Sequence, residues 1–135
     1  MNFRGEVLVA DVPNKNNRIY PKHLLEEIVA KFQDVIKNRG LIGQMGYPGD
    51  SMIHFAEASH IVTDLAMEDN KMVAEIETIQ TPCGKELEKL LKGDAKIALR
   101  PYGVGNGKVN EDGVLVIDDS YKMISISVVD AEKAS

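Results

Sequence analysis

The residues able to do chemistry are few and scattered. The histidines are His23, His54 and His60, the one cysteine is Cys83, and the clustered carboxylates are Glu111, Asp112, Asp118 and Asp119. His54 and His60 fall six apart in a segment that alternates like a strand. That spacing puts them on one face but roughly 20 Å apart, too far to share a metal ion without a sharp bend. Ser59 and His60 are neighbours in the same segment, so alternation sends them to opposite faces and predicts no nucleophile–base pair. His60 therefore reads as a hydrogen-bonded framework histidine, and His23, just after Pro21, as a solvent-facing one. Cys83 falls in the first turn of a helix, where the dipole can lower a thiol pKa. With no histidine to place beside it, it reads as a small buried thiol. The acidic cluster lacks the D-x-D-x-D-G order of a calcium loop and reads as a solvated turn. GVGNG at 103–107 is followed by neither Lys-Ser/Thr nor a helix, so it is no nucleotide phosphate loop. No metal site and no cofactor are predicted. More distinctive are Tyr20, Tyr47 and Tyr102, each beside a proline in IYP, GYP and RPY.

The elements that must position these residues can be read in order. Residues 3–12 alternate as a strand, and PNKNN at 13–17 closes it. After Pro21, a helix is predicted with Leu24, Leu25, Ile28, Val29, Phe32, Val35 and Ile36 on one stripe and Gly40 as its stop. A glycine-rich loop, GLIGQMGYPGD, follows. Residues 53–65 and 71–79 read as two strands joined by the turn EDN. Thr81 is placed to cap a second helix with Pro82 at its first position, Leu87, Leu90 and Leu91 inside, and Gly93 at its end. Three further strands are predicted at 95–100, 114–118 and 121–130. The expectation is one α+β domain over 1–135: a compact, antiparallel, barrel-like sheet of about six strands with two main helices.

Composition mainly excludes. The 135 residues suffice for one core without a disulfide or metal to hold it. Sixteen Lys+Arg against 21 Asp+Glu give a net charge of −5, which argues against a nucleic-acid-binding surface. Aromatics at 5% and no Trp argue against a stacking platform for single strands. The apolar runs are only a few residues long, so no membrane span is expected. A single cysteine excludes an internal disulfide and fits a cytoplasmic setting.

In order, the conspicuous segments are NKNNRIYP (14–21), GQMGYP (43–48), ASHIV (58–62), TPCGKEL (81–87), IALRPYGVG (97–105) and ISISVVDA (124–131). Together they resemble the prohead (head-maturation) serine proteases of large tailed bacteriophages, over nearly the whole chain. That family's pattern runs N-x-N-x-R-x-Y-P, a helix, G-E-L-x-H-P, a TP-G-L-type helix start, S-S-R-G-x-G and a strand with D-x-V. The resemblance implies a fold related to the herpesvirus assemblin proteases. It further implies a serine nucleophile, a histidine base and an acidic partner that together cut scaffold and capsid proteins in the immature head. Carried over residue by residue, the histidine falls on Tyr47, the nucleophile on Ala98 (its neighbouring serine on Leu99), and the acid on Ser127. Arg100, Gly103 and the glycines and Pro48 around Tyr47 keep the pattern. Alanine has no nucleophile, and a tyrosine of pKa near 10 is a poor base at neutral pH.

The resemblance thus implies a protease fold without its chemistry. The expected function is a virion structural or head-assembly protein that binds phage capsid, scaffold or other virion proteins, possible also as a homo-oligomer, in the host cytoplasm. The expected surface is the former cleft, with Tyr47, Arg100, Tyr102, Gly103 and His60 as candidates. The alternatives are an active serine protease whose catalytic residues lie elsewhere, and a regulator of another protein. A chain this short also suggests a catalytic domain without terminal extensions.

Overall fold

The computed structural model describes residues 1–47, 49–50 and 52–133; Pro48 lies outside the described residues. Among the described residues, nine strands and two α-helices follow one another as β1 (Asn2–Val9), β2 (Arg18–Ile19), α1 (Lys22–Lys37), β3 (Ile42–Gln44), β4 (Ala58–Glu68), β5 (Lys71–Thr78), α2 (Pro82–Lys92), β6 (Ile97–Val104), β7 (Gly107–Val109), β8 (Leu115–Ile117) and β9 (Lys122–Asp130). The fold is α+β. Its main sheet has the order β1-β5-β4-β3, all antiparallel. A smaller sheet has the order β2-β8-β7, and β6 pairs with β9 in an antiparallel ladder. The barrel-like expectation needs correction, because the sheets do not close. β3 meets β9 through a single parallel bridge, Met45 to Val128, and β1 packs against β6 without sharing its sheet.

Both helices form for legible reasons. In α1, Leu24, Leu25 and Ile28 are buried and the helix lies on β4, with Gln33 Nε2 donating to Leu65 O at 3.0 Å. Val35, expected on the stripe, is exposed. Thr81 caps α2 by accepting from Gly84 N at 2.9 Å, as its position predicts. Each helix ends in a Schellman turn; Gly93 caps α2 as expected, whereas α1 is capped by Asn38, ahead of Gly40. Arg39 and Asp94 take the left-handed conformation (φ 58° and 56°), and the amides of Gly40 and Ala95 return to Val35 O and Leu90 O.

The strand expected over 53–65 begins only at Ala58; Phe55–Glu57 is a 3-10 turn, so His54 is not on a strand. β4 also carries a bulge. Gly43 pairs with His60 and Gln44 with Ala58, leaving Ser59 as the extra residue. A bulge abolishes strict alternation, so Ser59 and His60 both turn inward and are fully buried. Three strands were not anticipated, β2, β3 and β7, because two or three residues carry no period.

Gly43 is required by what crosses it. A Cβ built there would lie 2.2 Å from His60 Nε2 and 2.5 Å from Ile126 O. Gly43→Ala should therefore destabilise the protein by about 2–3 kcal/mol, through overpacking and a displaced hydrogen bond. Gly49→Ala, where a Cβ meets nothing within 4 Å among the described residues, should change little. Urea unfolding of the two variants beside the parent measures the difference.

Candidate functional site

His60 is the chemical centre of the interior. Its Nε2 lies 2.8 Å from Ile126 O, and a carbonyl can only accept, so Nε2 carries the proton. Nδ1 is then the acceptor, and Ser59 Oγ donates to it at 2.8 Å. The expectation that Ser59 and His60 face apart is thus wrong, for the reason the bulge supplies. The pair has nucleophile–base spacing, yet both residues are 0% exposed and no substrate can reach them as folded. Burial pushes the imidazole down to about 4, against a smaller raising effect of the Ile126 carbonyl. The same corner anchors α2: Thr81 Oγ1 donates to Ala58 O, and Ile79 N to Ser59 O at 3.2 Å.

The other candidates lie apart. His54 Nε2 is 3.1 Å from each Asp50 carboxylate oxygen, and this contact holds the Asp50 carboxyl below its ordinary value. His23 is exposed, 3.6 Å from Asp119. Cys83 is half-buried rather than buried. Asp118 accepts from Ser120 N and Oγ in a turn, which lowers its carboxyl. Among the described residues no three His, Cys, Asp or Glu side chains group as a metal site.

Tyr47, Ala98 and Ser127 fall around one junction. β6 and β9 pair Ala98 with Val129 and Arg100 with Ser127, which puts these four on one face, while Leu99 and Val128 turn to the core. The chain leaving β3 joins the same place. Gly46 N donates to Val128 O at 2.8 Å, and Tyr47 follows. The Tyr47 ring stacks on Tyr102 with centroids 6.3 Å apart and planes inclined by 26°. Burial raises the Tyr47 phenol, with nearby Arg100 opposing, so it is still less able to act as a base. Ser127 Oγ is buried and has no hydrogen-bond partner among the described residues.

Two hollows meet at Tyr47. One is a largely apolar groove of about 710 Å³, lined by Met45, Tyr47, Leu90, Lys96, Ile97 and Val128 among others. The second, of about 280 Å³, brings Tyr47, Arg100, Tyr102 and Gly103 together. His60 lines neither. The second also holds Asn14, Asn16 and Arg18, not singled out in the sequence, and Tyr20, noted there beside its proline but not placed in the cleft. They lie together in NKNNRIYP, the first of the family-like segments, where a turn over Asn14–Arg18 leads into β2. Tyr121, the other unanticipated member, packs edge-on to Tyr20 at 5.5 Å. It fits because residue 103 is glycine, where a Cβ would stand 2.6 Å from its hydroxyl.

A mixed α+β fold, with its strand-junction cleft bordered by a β6–β9 ladder, places this chain among phage head-maturation protease folds. Residues 1–133 match the family described as prohead core protein serine protease, and the chain belongs to that family. It is 20% identical over 124 residues to the prohead core protein protease of Enterobacteria phage T4, covering 90% of this chain and 58% of that protein. The chain thus spans little more than half the length of that relative. The fold matches the structure of the bacteriophage T4 capsid assembly protease, gp21, with a TM-score of 0.88 and 20% identity, over 95% of this chain and 80% of that one.

The buried imidazole has a consequence for stability. Its folded pKa, about 4, lies below the ordinary value of 6.5, so the unfolded chain binds the extra proton between these values. Stability from neutral His60 is present above pH 6.5 and is lost as pH falls toward 4. Between pH 7 and 4.5 this amounts to about 2 kcal/mol. His60→Asn should remove that slope while keeping the slope due to the carboxylates. Parallel urea melts of parent and variant check it, and identical slopes would contradict the assignment.

Proposed function

We propose that this phage prohead-protease-like protein has exchanged cleavage for binding: a non-catalytic head-assembly or virion protein that holds an extended segment of a capsid, scaffold or other virion protein. The observation that carries this reading is alanine at position 98, paired with Val129 in the β6–β9 ladder, together with tyrosine at position 47, stacked on Tyr102. If these are the family's catalytic positions, the nucleophile and the base are both gone. Loss of the nucleophile alone costs on the order of a million-fold in turnover. The groove meanwhile offers an apolar wall and the last residues of β9, suited to an added strand. Tyr47, 54% exposed at the meeting point of both hollows, is placed as the central contact.

Family membership by itself favours the other reading, an active protease with residues other than these. Incubation with the capsid and scaffold proteins of the same phage separates the two. The binding reading predicts a retained complex and intact partners. Tyr47→Ala should weaken that complex about thirtyfold, as expected of a central aromatic contact, while thermal stability changes little. Cleavage of either partner, abolished by replacing Ser59, Ser125 or Ser127 with Ala, would establish the active protease instead. Assembly in the host cytoplasm goes with this proposal. Among the described residues no helix is long and apolar enough to cross a membrane.

A further inference from the structure

GVGNG at 103–107 contains the one asparagine of the chain that is followed by glycine, Asn106 before Gly107. An asparagine carboxamide is open to attack by the amide nitrogen of the next residue. Glycine in that place has no Cβ to obstruct the approach. The fold leaves both partners of this reaction unengaged.

The side chain comes first. Asn106 is exposed, and its carboxamide makes no hydrogen bond among the described residues. Only its backbone is held: N donates to Ser120 Oγ at 2.8 Å, and O accepts from Asp118 N at 3.0 Å. Asn14, Asn17 and Asn110 differ. Asn14 Oδ1 accepts from the amides of Asn16 and Arg18, Asn17 Nδ2 donates to Gly113 O, and Asn110 Oδ1 accepts from the amides of Asp112 and Val114.

The attacking amide is equally open. Gly107 begins β7, an edge strand of the β2-β8-β7 sheet. The bonds from Asp118 N to Asn106 O and from Asn110 N to Val114 O make Lys108 and Val116 the pair that exchanges hydrogen bonds. Gly107, one residue earlier, therefore turns its N–H away from β8 and toward the open edge. It finds no partner there among the described residues. Packing also demands glycine, since a Cβ at 107 would stand 2.1 Å from Val116 O. The residue that lets β7 lie against β8 is thus the one that leaves Asn106 reactive. Asp112 before Gly113 offers the contrast within the same chain: Gly113 N donates to Asn110 O at 3.1 Å, so that amide is occupied.

We propose that Asn106 and Gly107 form a self-modification site, at which the folded protein converts Asn106 into aspartate and isoaspartate. Gly107 N attacks Asn106 Cγ, the N–Cγ bond forms and the Cγ–Nδ2 bond breaks. Ammonia leaves with the former amide proton of Gly107. The resulting succinimide takes up one water from solvent, and no oxidant or reductant is needed. Opening at Cγ gives aspartate with the main chain unchanged. Opening at the carbonyl carbon of residue 106 gives isoaspartate, whose main chain runs through Cβ and Cγ. Either product adds one negative charge to a chain of net charge −5. Isoaspartate also turns the carbonyl that holds Asp118 N into a carboxylate on a branch, and lengthens the β6–β7 turn. The proposal is independent of the binding reading, because it requires only water.

Prolonged incubation of the intact protein in neutral buffer, followed by digestion and mass spectrometry, tests it. Cleavage after Lys108 separates Asn106 from Asn110. The Asn106 peptide should gain about 1 Da and split into two isomers on chromatography, while the peptides of Asn14, Asn70 and Asn110 stay unchanged. The native rate should lie within about tenfold of the rate in the urea-unfolded chain, because a short edge strand opens readily. Asn106→Gln, at an exposed position whose side chain has no partner, should keep the fold and lose the gain. No gain in the native protein, a native rate below that bound, or an equal gain at the other asparagines or in Asn106→Gln would each overturn the proposal.

Discussion

One neutral imidazole holds the strands of this protein in register with one another. His60 stands on β4, reaches over β3 and donates to Ile126 O on β9. Among the described residues the main sheet and the β6–β9 ladder share one backbone bridge, and this hydrogen bond, with Ser125 Oγ donating to Ile42 O at 2.7 Å, adds to the packing that joins them. Its geometry sets conditions on three other positions. Residue 43 must be glycine to let the ring pass; Ser59 must be bulged inward to satisfy Nδ1; and α2 must start where Thr81 can meet Ala58 O. A buried polar group in a low-dielectric interior is costly unless every partner is present, and here each ring nitrogen has one.

The cleft depends on that joint. Tyr47 leaves β3 two residues after the bridge to Val128, and Tyr102 belongs to the strand paired with β9. Their stacking therefore records the relative placement of two separately paired sheets. If the joint moved, both the apolar groove and the tyrosine-walled hollow would change shape together, because Tyr47 borders each. The structure around Tyr47 and Tyr102 is thus kept by packing between the two sheets.

The long elements were legible because their signals are local. The stripe of α1, the Thr81 cap, the alternation of β1 and the β-branched residues of β9 are each decided by residues within the element. What escaped was decided between elements. β3 has three residues and exists because β4 and β9 flank it; the bulge at Ser59 follows from pairing with Gln44. Alternation, applied to Ser59 and His60 without knowledge of that pairing, gave the wrong faces. The same holds for the site. The proximity of Tyr47, Arg100, Tyr102 and Gly103 could be inferred from the family's order of segments, but Tyr121 enters only through a fold contact with residues 103 and 105. His60 was counted with the cleft and belongs to the frame beneath it. The end of α1 came ahead of Gly40 because a hydrogen bond back to Val35 O holds Arg39 in a conformation normally left to glycine.

The central claim is that the fold persists while no serine is poised for attack. Intact-mass measurement of the native protein after incubation with a serine-reactive fluorophosphonate tests it most directly. The account predicts an unmodified mass, with Ser59 protected by burial and position 98 occupied by alanine. A single stoichiometric adduct on any serine of the folded protein would contradict it.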